Sequence, residues 1–146
     1  MYKIILSSLS LLFLGCNFIE KDIPIQQKIN TNWQFKAIDT LDWKSAIIPG
    51  NVFTDLRSHH IIEDPFVKNN EEKVQWVAKK DWIYQTNFPL SKEILQRKNI
   101  ELNFDGLDTY ATIYLNDSLL GKTENAFRKF RFDIKHIAKK ENSLTV

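Results

Sequence analysis

The side chains able to do acid–base, nucleophilic or metal chemistry are unevenly spread through this 146-residue sequence, which holds 1 cysteine, 3 histidines and 18 carboxylates. Cys16 stands near the N-terminus, His59-His60 form a pair, and His136 lies far along the chain. A zinc site needs three or four ligands in suitable geometry. This set predicts solvated histidines, no metal and no cofactor. Carboxylates recur as Asp55, Asp64, Glu71, Glu72, Asp81, Asp105 and Asp108. Glycoside hydrolysis needs two of them about 5–9.5 Å apart across the scissile bond. Sequence spacing on strands cannot set that distance, so no catalytic residue is assigned. No Gly-rich phosphate loop, G-x-S-x-G elbow or H-E-x-x-H element occurs. The remaining chemistry is aromatic. Trp33, Trp43, Trp76 and Trp82 could stack on sugar faces, yet strand periodicity places Trp82 inside. Trp33, Trp43 and Trp82 are expected in the core, whereas Trp76 is open to either role.

Composition bounds what can hold these groups. A chain this short cannot contain a (β/α)₈ barrel of about 250 residues. With 43% hydrophobic, 12% aromatic and 26% charged residues it has the means for a packed core and a soluble surface. A net charge of +2 is too small for a nucleic-acid footprint, so no nucleic-acid partner is expected.

The N-terminus reads as a targeting segment. Lys3 precedes an apolar run over residues 4–14, and Gly15-Cys16 closes it. Eleven residues at about 1.5 Å rise cannot cross a hydrocarbon core about 30 Å thick, so this is the h-region of a signal peptide. A small residue directly before the lone cysteine resembles a bacterial lipoprotein signal, with lipid on the Cys16 thiol. Residues 1–15 are thus expected to be a leader, 16–28 a tether, and 29–146 the folded domain. The product would be exported and membrane-anchored, in the periplasm or at the outer membrane.

Beyond Trp33 the dominant period is two. Trp82, Tyr84, Thr86 and Phe88 fall on one face of a strand, and residues 100–104 and 129–134 alternate in the same way. Residues 109–115, a turn at Asn116-Asp117-Ser118 and residues 119–122 form a hairpin. Residues 135–140 predict one helical turn. Residues 143–146 begin a strand with no partner after it, which reads as a sandwich truncated at its C-terminus with an open edge and only marginal stability. Asn51 is placed to cap a short helix over residues 52–58, and residues 61–80 are expected to be largely loop. The fold class is all-β, a jelly-roll β-sandwich.

The irregular middle carries a resemblance. Pro49-Gly50-Asn51-Val52-Phe53-Thr54-Asp55-Leu56, Ile62-Glu63-Asp64-Pro65-Phe66, Asn70-Glu71, Gln75-Trp76-Val77 and Asp81-Trp82-Ile83-Tyr84 occur in this order. Phe104-Asp105-Gly106-Leu107-Asp108-Thr109, Ile113-Tyr114-Leu115-Asn116 and Leu120-Gly121 follow in register. Together they resemble the N-terminal domain of β-mannosidases of glycoside hydrolase family 2. Val67-Lys68 stands where that family commonly carries Tyr-Gly.

The resemblance implies a non-catalytic jelly-roll sandwich of the galactose-binding-domain-like kind, beside a second sandwich and a catalytic barrel of the same full-length chain. It also implies a retaining, exo-acting β-mannosidase acting on a β-mannoside-containing glycan, with both reactive glutamates in the barrel and none in these residues. The rim is expected at Asp64, Asn70, Glu71 and Trp76, facing sugar or barrel, with Phe66 anchoring the loop. Asn70 and Glu71 could equally satisfy loop backbone amides. The alternatives are a free-standing carbohydrate-binding lipoprotein without catalytic activity and an adaptor lipoprotein that has lost sugar recognition.

Overall fold

A computed structural model describes residues 23–146; the leader and Cys16 lie outside the described residues. The strands are β1 (Trp33–Ala37), β2 (Lys44–Ala46), β3 (Trp82–Pro89), β4 (Glu101–Phe104), β5 (Tyr110–Leu115), β6 (Ser118–Glu124), β7 (Phe130–Asp133) and β8 (Glu141–Thr145). Six of them form one antiparallel sheet in the order β2-β1-β3-β8-β5-β6, and β4 pairs with β7 in a second, smaller sheet. The fold is an all-β sandwich of the expected class.

Period-two patterning explains which face each strand hides. Phe35, Tyr84, Thr86, Leu144, Ile113 and Leu115 fall on one side of the large sheet, where strand partners bring them level. Two covers share that face. The β4–β7 pair closes the half over β8, β5 and β6, giving a core of Phe88, Leu90, Ile100, Leu102, Ile113, Leu115, Ile134 and Leu144. Helix α1 (Val52–Ser58) and the segment after it close the half over β1 and β3, with Leu56, Ile62, Val74 and Val77 packed on Phe35. The opposite face carries Gln34, Lys36, Gln85, Asn87, Ser143 and Tyr114, none of them buried.

Local chemistry sets the boundaries. Asn51 caps α1 by accepting from the Thr54 N–H while Thr54 Oγ1 accepts from the Asn51 N–H, a reciprocal capping box. Asn116 and Asp117 take φ of 50° and 65°, the paired left-handed values of the tight turn that matches strand twist between β5 and β6. Gly121 on β6 leaves room for the Phe132 ring, which a Cβ would meet at 2.8 Å.

Three expectations need correction. Residues 61–80 are not simply loop: they hold α2 (Asn70–Lys73) and a 3-10 turn (Val77–Lys79). The burial of Ile62, Val74 and Val77 explains why this segment is ordered. Trp43 joins neither core cluster; it is half-buried with Lys36 Nζ 5.3 Å from its ring centre. The last strand has partners on both sides, β3 and β5, so it is central rather than an edge. Trp33 and Trp82 do pack against the two clusters.

Candidate functional site

An open cleft of about 2850 Å³ lies between the α1 layer and the small sheet. Val52, Phe53 and Trp82 line one wall; Phe104, Leu107 and Phe130 line the other. Among the described residues, no group of three or more His, Cys, Asp or Glu is placed to hold a metal ion. His59 is committed to structure: its Nε2 lies 2.8 Å from the Ser45 carbonyl, tying the end of α1 to β2.

The four rim residues take different positions. Asp64 pairs with Arg57 at 2.7 Å and accepts the Phe66 N–H on its other carboxyl oxygen at 3.1 Å, which fixes the turn through Pro65. Asn70 is buried in the same knot: its Nδ2 donates to the Asp64 carbonyl at 3.0 Å, and its Oδ1 accepts from Lys73 Nζ at 3.1 Å. Glu71 is exposed and lines the cleft. Trp76 is 37% exposed, with its ring 6.1 Å from that of Trp82 and Lys80 Nζ 6.0 Å from its centre. Asp64 and Asn70 are thus brought together, whereas Glu71 and Trp76 present surface.

Phe66 does not anchor the loop as expected. It is 96% exposed, because the Asp64–Arg57–Asn70 knot already holds the turn and leaves the ring pointing outward. The adjoining Lys68 adopts φ 53°, a left-handed conformation that costs an L side chain about 1–2 kcal/mol and that glycine enters freely. Lys68→Gly is therefore expected to stabilise the chain by about 0.5–1 kcal/mol after the larger entropy loss of glycine is set against the relief. Chemical denaturation of the two proteins measures this; a destabilised variant would contradict the strain.

One buried group escaped the sequence reading. Asp55 is 1% exposed beneath the cleft wall, where Oδ1 accepts the Ile47 N–H at 3.0 Å and Oδ2 accepts the Tyr84 hydroxyl at 2.9 Å. It joins α1, the loop before it and β3 into one unit. Burial, and then donation to Asp55 and its negative charge, push the Tyr84 phenol well above its ordinary value. The advance signals were its place one turn after the Asn51 cap, next to Leu56, and its membership of the run Pro49 to Leu56 that carries the resemblance.

Comparison with known proteins places this geometry. Residues 33–146 match the family model described as the glycosyl hydrolase 2 galactose-binding domain-like domain. β-Mannosidase from Bos taurus is 33% identical over 132 residues, covering 90% of this chain and 15% of the relative. β-Mannosidase B from Thermothelomyces thermophilus is 36% identical over 124 residues, 83% of this chain and 14% of the relative. Among solved structures, β-D-mannosidase from Dictyoglomus thermophilum superposes with a TM-score of 0.79 at 42% identity, over 82% of this chain and 15% of that one. A β-glucuronidase from Ruminococcus gnavus, at 21% identity and TM-score 0.57, shares the fold. The chain spans about 15% of the length of these β-mannosidases. With its sheet order, its covering α1 layer and the family match over residues 33–146, this chain belongs to the galactose-binding-domain-like N-terminal domains of glycoside hydrolase family 2.

Proposed function

We propose that this domain is the non-catalytic scaffold of an exported, lipid-anchored exo-β-mannosidase that removes terminal non-reducing β-D-mannose with retention. The observation that carries this reading is the fit of the chain, at 42% identity, to the β-D-mannosidase of Dictyoglomus thermophilum. In this reading the acid/base and nucleophile belong to a catalytic barrel packed beside the sandwich, with a second sandwich as neighbour; the β-mannosidase relatives, of which the chain spans about 15%, support it. Phe66, Glu71 and Trp76 supply the exposed contact surface of the rim, facing the barrel or the β-mannoside-containing glycan. Cys16 carries the lipid and residues 16–28 the tether. Gln27 Nε2 donates to the Pro89 carbonyl at 2.7 Å, which holds the end of that tether against the domain.

The 146-residue chain is expected to release no nitrophenol from p-nitrophenyl β-mannoside, while a polypeptide joining this domain to its barrel releases it. Hydrolysis by the chain itself would refute the reading. Mannan binding by the chain, with no β-mannosidase activity in any polypeptide that carries it, would make it a free-standing binding lipoprotein. In the active protein, Trp76→Ala is expected to raise KM about fivefold if the ring stacks on sugar, since such a contact is worth about 1 kcal/mol. An unchanged KM assigns Trp76 to the barrel side instead. Cys16→Ser should move the protein from the membrane pellet to the soluble fraction.

A further inference from the structure

Ahead of β1 the chain runs along β3. Thr31 Oγ1 lies 2.6 Å from Thr86 Oγ1, and Gln27 Nε2 donates to the Pro89 carbonyl at 2.7 Å. Traced backwards from Trp33, the backbone therefore climbs toward the C-terminal end of β3, and the residues before Gln27 depart from the domain at that end.

Two segments close the same end of the sandwich. Helix α3 (Lys92–Gln96) follows β3 directly, started by Ser91, whose hydroxyl accepts the Ile94 N–H at 3.2 Å. Residues 134–140 lie against it: the Leu90 N–H donates to the Lys140 carbonyl at 2.9 Å, and Lys135 Nζ donates to the Leu95 carbonyl at 2.8 Å. Asn116 Nδ2 donates to the Ile137 carbonyl at 2.8 Å, which brings the β5–β6 turn alongside. Stretches far apart in sequence thus share one pole, the pole from which residues before Gln27 leave.

The charges of that pole are one-sided. Across residues 91–99 and 135–140 stand Lys92, Arg97, Lys98, Lys135, Lys139 and Lys140 against a single carboxylate, Glu93, which Arg97 pairs at 3.2 Å. Glu101, Asp117, Asp133 and Glu141 lie around its margin, at strand ends and the β5–β6 turn. Of these, Asp133 accepts the Lys135 N–H at 2.9 Å. Lys92, Lys98, Lys139 and Lys140 are exposed, and no carboxylate among the described residues pairs with them. The whole chain carries a net charge of only +2, so its basic excess is concentrated here. A local excess of this kind is what an anionic surface attracts.

We propose that this basic pole is a docking face for anionic phospholipid headgroups, which hold the domain with α3 and residues 135–140 against the bilayer. The choice of a bilayer as partner rests on the lipid-anchored reading above. The stretch from Cys16 to Gln27 spans at most about 40 Å, and it joins the domain at this pole, so the anchor delivers these lysines to the headgroups first. A lipid and a basic patch are the two signals that together give stable attachment. Each lysine near an anionic surface strengthens association about fivefold.

Lysine acetylation rates test this on the 146-residue chain, made without lipid and mixed with vesicles of phosphatidylcholine plus phosphatidylglycerol or of phosphatidylcholine alone. On the anionic vesicles Lys92, Lys98, Lys139 and Lys140 are expected to react about fivefold or more slowly, with Lys68 and Lys79 unchanged, and high salt should abolish the protection. The combined change Lys92→Gln, Lys98→Gln, Lys139→Gln and Lys140→Gln should lower the preference for anionic over neutral vesicles at least about tenfold. Removing as much charge elsewhere, by Lys68→Gln, Lys79→Gln, Lys122→Gln and Arg128→Gln, should leave that preference in place. Uniform protection of all these lysines, or equal effects of the two variants, would overturn the proposal. Protection of the pole in the full-length protein without vesicles would put another domain there and overturn it too, as would stronger protection by soluble heparin than by vesicles. Because the chain in this assay carries no lipid, its failure is distinct from failure of the anchor, which the Cys16→Ser fractionation reads.

Discussion

Asp55→Ala is expected to destabilise the chain by about 2–4 kcal/mol, because it leaves two neutral donors without their acceptor at about 1–3 kcal/mol each. The buried carboxyl group serves two donors, the Ile47 N–H at 3.0 Å and the Tyr84 hydroxyl at 2.9 Å. Its removal orphans both and unties α1 from β3. Urea unfolding followed by tryptophan fluorescence measures the loss; a change below about 1 kcal/mol would mean that the two donors find other partners. Tyr84→Phe removes one of the two bonds and should cost about 1.5–3 kcal/mol.

The same pair gives an alkaline signature. The folded protein holds the Tyr84 proton to higher pH than the unfolded chain does, because the phenol is buried and donates to Asp55. Its contribution is therefore fully present below the ordinary tyrosine value of about 10 and declines as pH rises beyond it. The stability difference between the native chain and Tyr84→Phe should accordingly be constant from pH 7 to 9 and shrink above 10. Two denaturation curves that shift in parallel through that range would remove the tyrosine from the account.

The second large effect concerns an asparagine pair. Asn142 is 2% exposed and saturates its amide: Nδ2 donates to the Lys139 carbonyl at 2.7 Å, and Oδ1 accepts the Lys139 N–H at 2.8 Å and Asn116 Nδ2 at 3.0 Å. Asn116 in turn donates to the Ile137 carbonyl at 2.8 Å and accepts the Ser143 N–H at 3.0 Å. The two side chains staple the turn before β8 to the β5–β6 hairpin. Asn142→Ala strips partners from the Lys139 N–H and carbonyl and from the Asn116 amide, and is expected to cost about 2–4 kcal/mol. Combined with Asn116→Ala it should cost less than the sum of the single changes, with a coupling of at least about 0.5 kcal/mol. Strict additivity in that double-mutant cycle would mean that the two amides act separately.

The chemistry of the domain is arranged as support. Of the buried polar residues described, Asp55, Asn70, Thr86 and Asn142 spend their hydrogen bonds inside the protein, whereas the Thr123 hydroxyl has no partner. Its outward-facing chemistry lies at the loop rim, where Phe66, Glu71 and Trp76 show surface around a knot fixed by Arg57 and Asp64. Such a division suits a rigid part that positions something else. The Asp105–Lys129 and Asp39–Lys80 ion pairs, at 2.9 and 2.7 Å, sit in solvent and add little to that rigidity.

The amino-acid sequence by itself determined the elements with strong local signals. Alternation over residues 82–88, 100–104 and 130–134 placed the right residues inward, because a strand's two faces follow directly from its period. The Asn51 cap and the Asn116-Asp117 turn were legible because a side chain or a φ preference acts within a few residues. Only the tertiary structure decided what each face meets. Periodicity says that Leu144 is hidden but not that β8 inserts between β3 and β5, since strand order depends on loop closure across the whole chain. Asp55 reads as one carboxylate among many until Tyr84, 29 positions away, donates to it. Phe66 reads as an anchor until the bonds of Asp64 and Asn70 leave it in solvent. Local rules fix conformation, whereas burial and partnership are settled by residues distant in sequence.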